Sequence, residues 1–337
     1  MSTTTEKILI IRLSSIGDII QCSAIPRHLR KKFPRAEIHW LVRSDNRELV
    51  AYNPYVSRVI SFERALGFKG WLAQSKILAD AGYTHVYDAH NNLRSHILSF
   101  YLRPKFFLRR SKSRIKRFLL FVFKINLFGK RYRAVDSYLS PLARWGIMID
   151  DKGPELHLAP GILTKVKQQI AWEGKPWIAI APATAWAKKT WPLDYWKVVV
   201  TKILKLTDYN VLILGGPKDG FCKDLIINQQ RVLSLQGKLT LLESAAAVSL
   251  CHTLVAADTG ILHMAECLQK NVVGILGPTP FGHPYRKTSK ALQTQLWCQP
   301  CSKDGSGPCV NPTYQKCMKL ITPEMVLEEL KTILETS

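Results

Sequence analysis

Acidic residues are scarce in this 337-residue chain. Asp and Glu number 25 against 48 Lys and Arg, a formal net charge of +23, and none occurs from Ala89 to Val135. The excess is uneven: residues 1–150 carry 27 Lys and Arg against 10 Asp and Glu, the remainder 21 against 15. So one-sided a field speaks of partners rather than of fold, and the candidates are nucleic acid, an anionic membrane surface or a phosphorylated substrate. Long hydrophobic runs are missing too. The longest apolar stretch, around Phe118 to Phe128, is interrupted by Lys124 and is too short to span a bilayer. The N-terminus lacks the apolar core and small-residue cleavage site of a signal peptide, so a cytoplasmic protein is expected. The first strand-to-helix turn holds a single glycine, Gly17, so the dinucleotide fingerprint G-x-G-x-x-G is absent. No Asp-x-Asp pair is present to hold a divalent cation.

What is present is a repeated rhythm. KILIIRL, AEIHWLV, VSRVISF and HVYDAH read as strands, with helical spacing in GDIIQCSAIPRHLRKKF and from Leu72 to Ala81. After the turn-rich GPELHLAPG the rhythm restarts with WIAIAP, NVLILGG, VLSLQG, TLVAAD and VVGILGP as strands. WPLDYWKVVVTKILKL and FCKDLIINQQ read as helices, and TPEMVLEELKTILET starts as one, with Thr322 as N-cap and Pro323 at the first position. Strands alternating with helices predict two doubly wound, Rossmann-like α/β domains, residues 1–162 and 163–337, with ligands at the carboxyl ends of the strands.

Several strand ends carry chemistry. In RLSSIGDII, Asp18 lies at a helix start and either caps it or takes a proton from a substrate. In DTGILHMA, Asp258, Thr259 and Gly260 begin a helix whose free N–H groups and dipole suit a diphosphate, with His263 one turn later. ATAWAKKTWP offers Thr184 and the cations Lys188 and Lys189, of which one is expected to be solvated surface. In GGPKD, Gly215 and Gly216 give close backbone access and Asp219 can accept hydrogen bonds from ribose hydroxyls.

The order RLSSIGDII, DAHNNLRS, KTWP, GGPKD, LQGKLTLLESAAAV, DTGILHMA resembles the ADP-heptose–lipopolysaccharide heptosyltransferases, glycosyltransferase family 9, over nearly the whole chain. The resemblance implies a GT-B fold, with the acceptor on the N-terminal domain and the nucleotide sugar on the C-terminal one. It implies inverting, metal-independent transfer of heptose from ADP-heptose to the inner core of lipopolysaccharide. Asp18 matches the proposed general base, Lys189 the lysine that meets the diphosphate, and Thr184 a phosphate-contacting threonine, with Ala185 where some members have another. Asp219 stands where members often have a ribose-binding glutamate, and Asp258, Thr259, Gly260 and His263 match the nucleotide-sugar site. Asp88, His90, Asn92 and Arg94, at the end of HVYDAH, are candidates to line the acceptor side. A member using another nucleotide sugar, a non-catalytic binder of core saccharide and a basic nucleic-acid-binding protein are the alternatives. The last is disfavoured because the basic run has no RNA- or DNA-binding motif, so no nucleic-acid partner is expected.

The stretch from Arg103 to Arg133 mixes twelve basic residues with Phe, Leu and Ile clusters. It reads either as a solvated helix or as an interfacial segment on the anionic inner face of the inner membrane, next to a lipid-linked acceptor. Near the C-terminus, Cys298, Cys301, Cys309 and Cys317 have spacing compatible with a four-thiolate structural zinc site, with reduced thiols or a disulfide as the other readings. No cofactor is expected to be required for catalysis.

Overall fold

The computed structural model describes residues 5–128, 132–170 and 174–336. The chain divides into two compact units, Met1–Arg114 with Ala134–His157, and Ile115–Arg133 with Leu158–Ser337. The division falls after His157 rather than after residue 162, and the stretch 115–133 belongs with the second unit.

The first unit is built on a five-stranded parallel sheet. Its strands are β1 Lys7–Ile11, β2 Glu37–Arg43, β3 Arg58–Phe62, β4 His85–Asp88 and β5 Phe106–Arg109, in the order β3-β2-β1-β4-β5. The central strands are apolar on both faces because helices cover both: Ile8, Leu9, Ile10 and Ile11 of β1 are all buried. Leu9 and Ile11 face a core with Leu41, Phe62, Trp71 and Leu98. β1 pairs with both β2 and β4, and Ile11 lies opposite Asp88. The strand order reverses between these two connections, so the carboxyl ends of β1 and β4 flank a topological switch point, where such sheets bind ligands.

The second unit carries β6 Trp177–Ala181, β7 Asn210–Ile213, β8 Val232–Ser234, β9 Thr253–Ala257, β10 Asn271–Leu276 and β11 Lys290–Gln293. They form a parallel sheet in the order β11-β10-β9-β6-β7-β8. Alternate residues feed two cores. Ile178, Ile180, Val211 and Val255 pack with Trp191, Trp196 and the helix Pro323–Glu335, while Ala179, Leu212, Leu254 and Ala256 face the other side. The switch point here lies between β6 and β9.

Three expectations are corrected. The first helical stretch is two helices, Ile16–Gln21 and Ile25–Lys32, because the chain turns at Cys22–Ala24. FCKDLIINQQ forms only a short 3₁₀ turn, Gly220–Leu225. The basic stretch contains the edge strand β5 and the helix Arg114–Phe123, whose single buried residue is Leu120.

Candidate functional site

At the switch point of the first sheet, the turn after β1 delivers Asp18 into a cluster of donors. Ser15 is the N-cap of the helix Ile16–Gln21, and its N–H and hydroxyl both donate to Asp18 Oδ2, at 3.4 and 2.8 Å. The carboxylate therefore does close the helix start. It also does more. Arg12, buried at the end of β1, places its guanidinium 2.5 Å from Oδ2 and donates to Ala89 O at 2.8 Å. The Tyr138 hydroxyl donates to Oδ1 at 2.6 Å and accepts from Arg110 at 2.7 Å, so a second buried guanidinium acts through the phenol. Burial alone would raise the Asp18 pKa, but Arg12, then the Tyr138 and Ser15 hydrogen bonds, outweigh it and hold the carboxyl well below the ordinary range. Asp18 is thus ionised at neutral pH, a weak base held in one orientation and still about one-third exposed, at 37%. Tyr138 is pushed upward, chiefly by burial, and stays a donor.

The four acceptor-side candidates separate. Asp88 is fully buried and accepts from Arg109 Nε at 2.7 Å, Ser95 Oγ at 2.9 Å and the N–H groups of His90 and Asn91 at 3.0 and 2.7 Å. With both oxygens engaged, this carboxylate organises the turn. Asn92, half-buried, caps the helix Leu93–Leu102 by accepting from Ser95 N at 3.0 Å. Arg94 is half-buried on that helix, and its carbonyl accepts from the Trp71 indole at 3.0 Å. His90 fits a ligand best. Burial, with Arg12 and Lys112 adding to it, lowers its pKa to about 4, and its Nδ1 is buried without a hydrogen-bond partner among the described residues.

At the switch point of the second sheet, the turns after β6 and β9 converge. The β6 turn, residues 187–189, is anchored by Trp191, which is buried in the core and donates its indole N–H to Ile321 O at 2.8 Å. That register sends Lys189 to Asp258: Nζ lies 2.9 Å from Oδ2, both side chains being 12% exposed. Asp258 Oδ2 also accepts from Thr279 at 2.6 Å. Burial pushes the Asp258 pKa up, but Lys189, Thr279 and His263 reverse the sign and hold it low. Gly282 backs directly onto this carboxylate, since a Cβ there would lie 2.6 Å from it. Thr259 is the N-cap of the helix Gly260–Cys267 but makes no side-chain cap, and its buried hydroxyl has no hydrogen-bond partner among the described residues. A fixed cation, an unspent hydroxyl and the positive end of a helix thus lie together, the donor set a diphosphate requires.

Other expected donor-site residues are engaged locally. Thr184 shares its hydroxyl with Thr190 at 2.9 Å and donates to Trp186 O at 2.9 Å. Asp219 closes its own turn by accepting from Gly216 N at 2.7 Å. Lys188 is not solvated surface: it is buried and donates to Pro308 O at 3.0 Å.

The four cysteines near the C-terminus form no disulfide with one another. All four are free, and among the described residues no group of three or more His, Cys, Asp or Glu side chains is placed to hold a metal ion. Asn311 Nδ2 donates to Cys298 Sγ at 3.4 Å. Burial, then the neighbouring Cys301, Cys298 and Cys309, push the Cys317 thiol to about 11, so without a bound cation it is a protonated thiol at neutral pH. The sequence reading also missed Arg12, Tyr138 and Thr279. Arg12 stood inside RLSSIGD, whereas the other two carry no local signal.

Against known proteins, residues 71–308 match the family model Glycosyltransferase family 9 (heptosyltransferase). The chain is 23% identical over 350 residues to lipopolysaccharide heptosyltransferase 2 of Escherichia coli, covering 97% of this chain and 98% of the relative. The solved family 9 glycosyltransferase of Veillonella parvula matches with a TM-score of 0.81 at 20% identity, over 100% of this chain and 99% of that one. An E. coli heptosyltransferase solved with ADP-2-deoxy-2-fluoro heptose matches with a TM-score of 0.67 at 17% identity, over 97% and 99%. With its two Rossmann-like units of the GT-B type, this chain belongs to glycosyltransferase family 9 and is a glycosyltransferase.

Proposed function

We propose that the chain transfers heptose, with inversion, from ADP-heptose to a Kdo or heptose acceptor in the inner core of lipopolysaccharide. The observation that carries this is the Lys189–Asp258 pair beside the unpartnered Thr259 hydroxyl and the helix start at Gly260. The acceptor hydroxyl attacks the anomeric carbon, the bond from that carbon to the diphosphate oxygen breaks, and the bonding electrons leave with ADP. Lys189 and the helix start stabilise the charge gathering on the leaving group, and Asp258 keeps the ammonium in place. Asp18 accepts the hydroxyl proton. A weak base suffices because the hydroxyl becomes strongly acidic only as its oxygen bonds to carbon. In this reading Lys189 and the helix start carry the charge of the leaving group, and the step draws on no metal ion.

The lipid-linked acceptor places the enzyme at the anionic inner face of the inner membrane. Among the described residues no helix is long and apolar enough to cross a membrane. The helix Arg114–Phe123 supports surface binding instead: Ile115, Phe118, Val122 and Phe123 are each more than half exposed, beside the exposed Arg114 and Lys116. Release of ADP from ADP-heptose, measured with and without truncated core acceptor, tests the reading. Acceptor-dependent release that falls at least ~100-fold in Lys189→Met supports it, and release indifferent to acceptor contradicts it.

A further inference from the structure

The segment that carries the four cysteines also holds the turn that carries Lys189. Gly305, buried and with φ at +103°, lies against the lysine stem: a Cβ there would sit 2.7 Å from Lys189 Cδ, 2.9 Å from Lys189 Cγ and 2.9 Å from Trp186 Cβ. Two further ties join the same pieces. Lys188 Nζ donates to Pro308 O at 3.0 Å, and Gln315 Nε2 donates to Thr190 O at 3.0 Å and to Ala187 O. The loop is itself closed. Gly305 N donates to Ser302 Oγ at 3.0 Å, Ser302 Oγ donates to Ser306 O at 2.9 Å, and Asp304 accepts from the Ser306 hydroxyl at 2.7 Å.

We propose that the loop Ser302–Ser306 is a positioning element for the donor diphosphate, with Gly305 confining the Lys189 stem so that its ammonium is fixed before nucleotide arrives. A lysine has several free torsions, and ordering them costs affinity when it happens only on binding. Here the backbone of a glycine, the only residue that leaves room for the stem at that approach, does the ordering in advance. The loop thereby sets nucleotide affinity through Lys189. The inference rests on the reading of Lys189 as the cation of the diphosphate site.

The test compares Gly305→Ala with Gly307→Ala. Gly307 also has a positive φ, +77°, but a Cβ there meets nothing within 4 Å, so it reports backbone strain without the contact. Two quantities are read: the rate at which an acylating reagent modifies Lys189, by mass spectrometry, and ADP affinity, by calorimetry. In Gly305→Ala the Lys189 rate rises at least ~3-fold while other lysines are unchanged, and ADP binds about tenfold more weakly. Gly307→Ala changes neither. In a Lys189→Ala background the Gly305 substitution has no further effect on ADP affinity. Unaltered Lys189 labelling in Gly305→Ala, or equal effects of the two glycine variants, overturns the positioning role. Raised labelling with ADP affinity unmoved in both Gly305→Ala and Lys189→Ala overturns the donor-site reading beneath it. If Gly305→Ala does not fold, Ser302→Ala, which removes the hydroxyl closing the loop, must raise Lys189 labelling in the same direction, and its failure to do so is equally decisive.

Discussion

The Tyr138 hydroxyl donates to Asp18 Oδ1 at 2.6 Å, joining residues 120 positions apart in the chain. With Arg12 on the other oxygen, this contact decides what Asp18 can do. The carboxylate is oriented and ionised, at the expense of basicity. Transfer should therefore show no acidic limb from Asp18 at or above pH 5.

Replacing Arg12 by Met should bring that limb into view. Without the guanidinium, burial dominates and the Asp18 pKa climbs. The pH profile of kcat/KM should acquire an acidic limb above about pH 4, the ordinary Asp range. A flat profile in a folded variant would place the essential proton elsewhere.

Thr259→Val separates binding from folding. Its hydroxyl makes no hydrogen bond to protein among the described residues, so the variant should melt within about 1 °C of the parent, since no protein contact is lost. If the hydroxyl serves a phosphate oxygen, ADP affinity should fall about tenfold, the worth of one hydrogen bond to a charged group. Unchanged affinity would remove it from the site.

Lys189→Met leaves Asp258 buried beside Thr279 with its counter-charge gone. A loss of about 3–5 kcal/mol in stability is expected, because an uncompensated buried charge remains. Adding Asp258→Asn should recover part of it. A double variant less stable than either single would show that the pair is not coupled as described.

Acid should destabilise the first unit through Asp150, which pairs with Arg27 at 2.8 Å and Lys31 at 2.8 Å. Burial raises its pKa, but the Arg27 and Lys31 hydrogen bonds win and hold it below the unfolded value. A depressed folded pKa means the contribution is complete above the unfolded value, near pH 4, and is lost as pH falls through the folded one. Denaturant midpoints from pH 6 to pH 3 should drop less in Asp150→Asn than in the parent, and an identical drop would remove Asp150 from the account.

The helix Arg114–Phe123 makes a surface prediction. Phe118→Ser with Phe123→Ser should weaken binding to anionic vesicles at least ~10-fold and leave ADP affinity intact, both rings being more than half exposed. Binding should also weaken with salt, each basic residue near the surface contributing about 1 kcal/mol. Vesicle binding unaffected by the pair would move the contact to another surface.

The sequence made the sheets legible where strands are buried on both faces, as in KILII and TLVAA. It hid β5 and β11 because edge strands are half-exposed and carry no apolar run: β5 is FFLR among basic residues, with Phe106 and Phe107 exposed. At the sites, Asp18, Lys189 and Asp258 stood out because each lies just after a strand. Their partners Tyr138, Thr279 and Gly305 did not, since only the tertiary fold brings them near. Lys188 and Lys189 show the limit most plainly: adjacent and chemically alike, they differ by one register step fixed by Trp191, and that step sends one to Pro308 and the other to Asp258.

The most direct test of the central claim is the mass of the product formed from ADP-heptose and a panel of truncated inner-core acceptors. The account predicts that one acceptor gains a single heptose with stoichiometric ADP release, and that Asp18→Asn abolishes the gain while still binding ADP. No heptosylated product with any core, or full turnover by a folded Asp18→Asn variant, would contradict it.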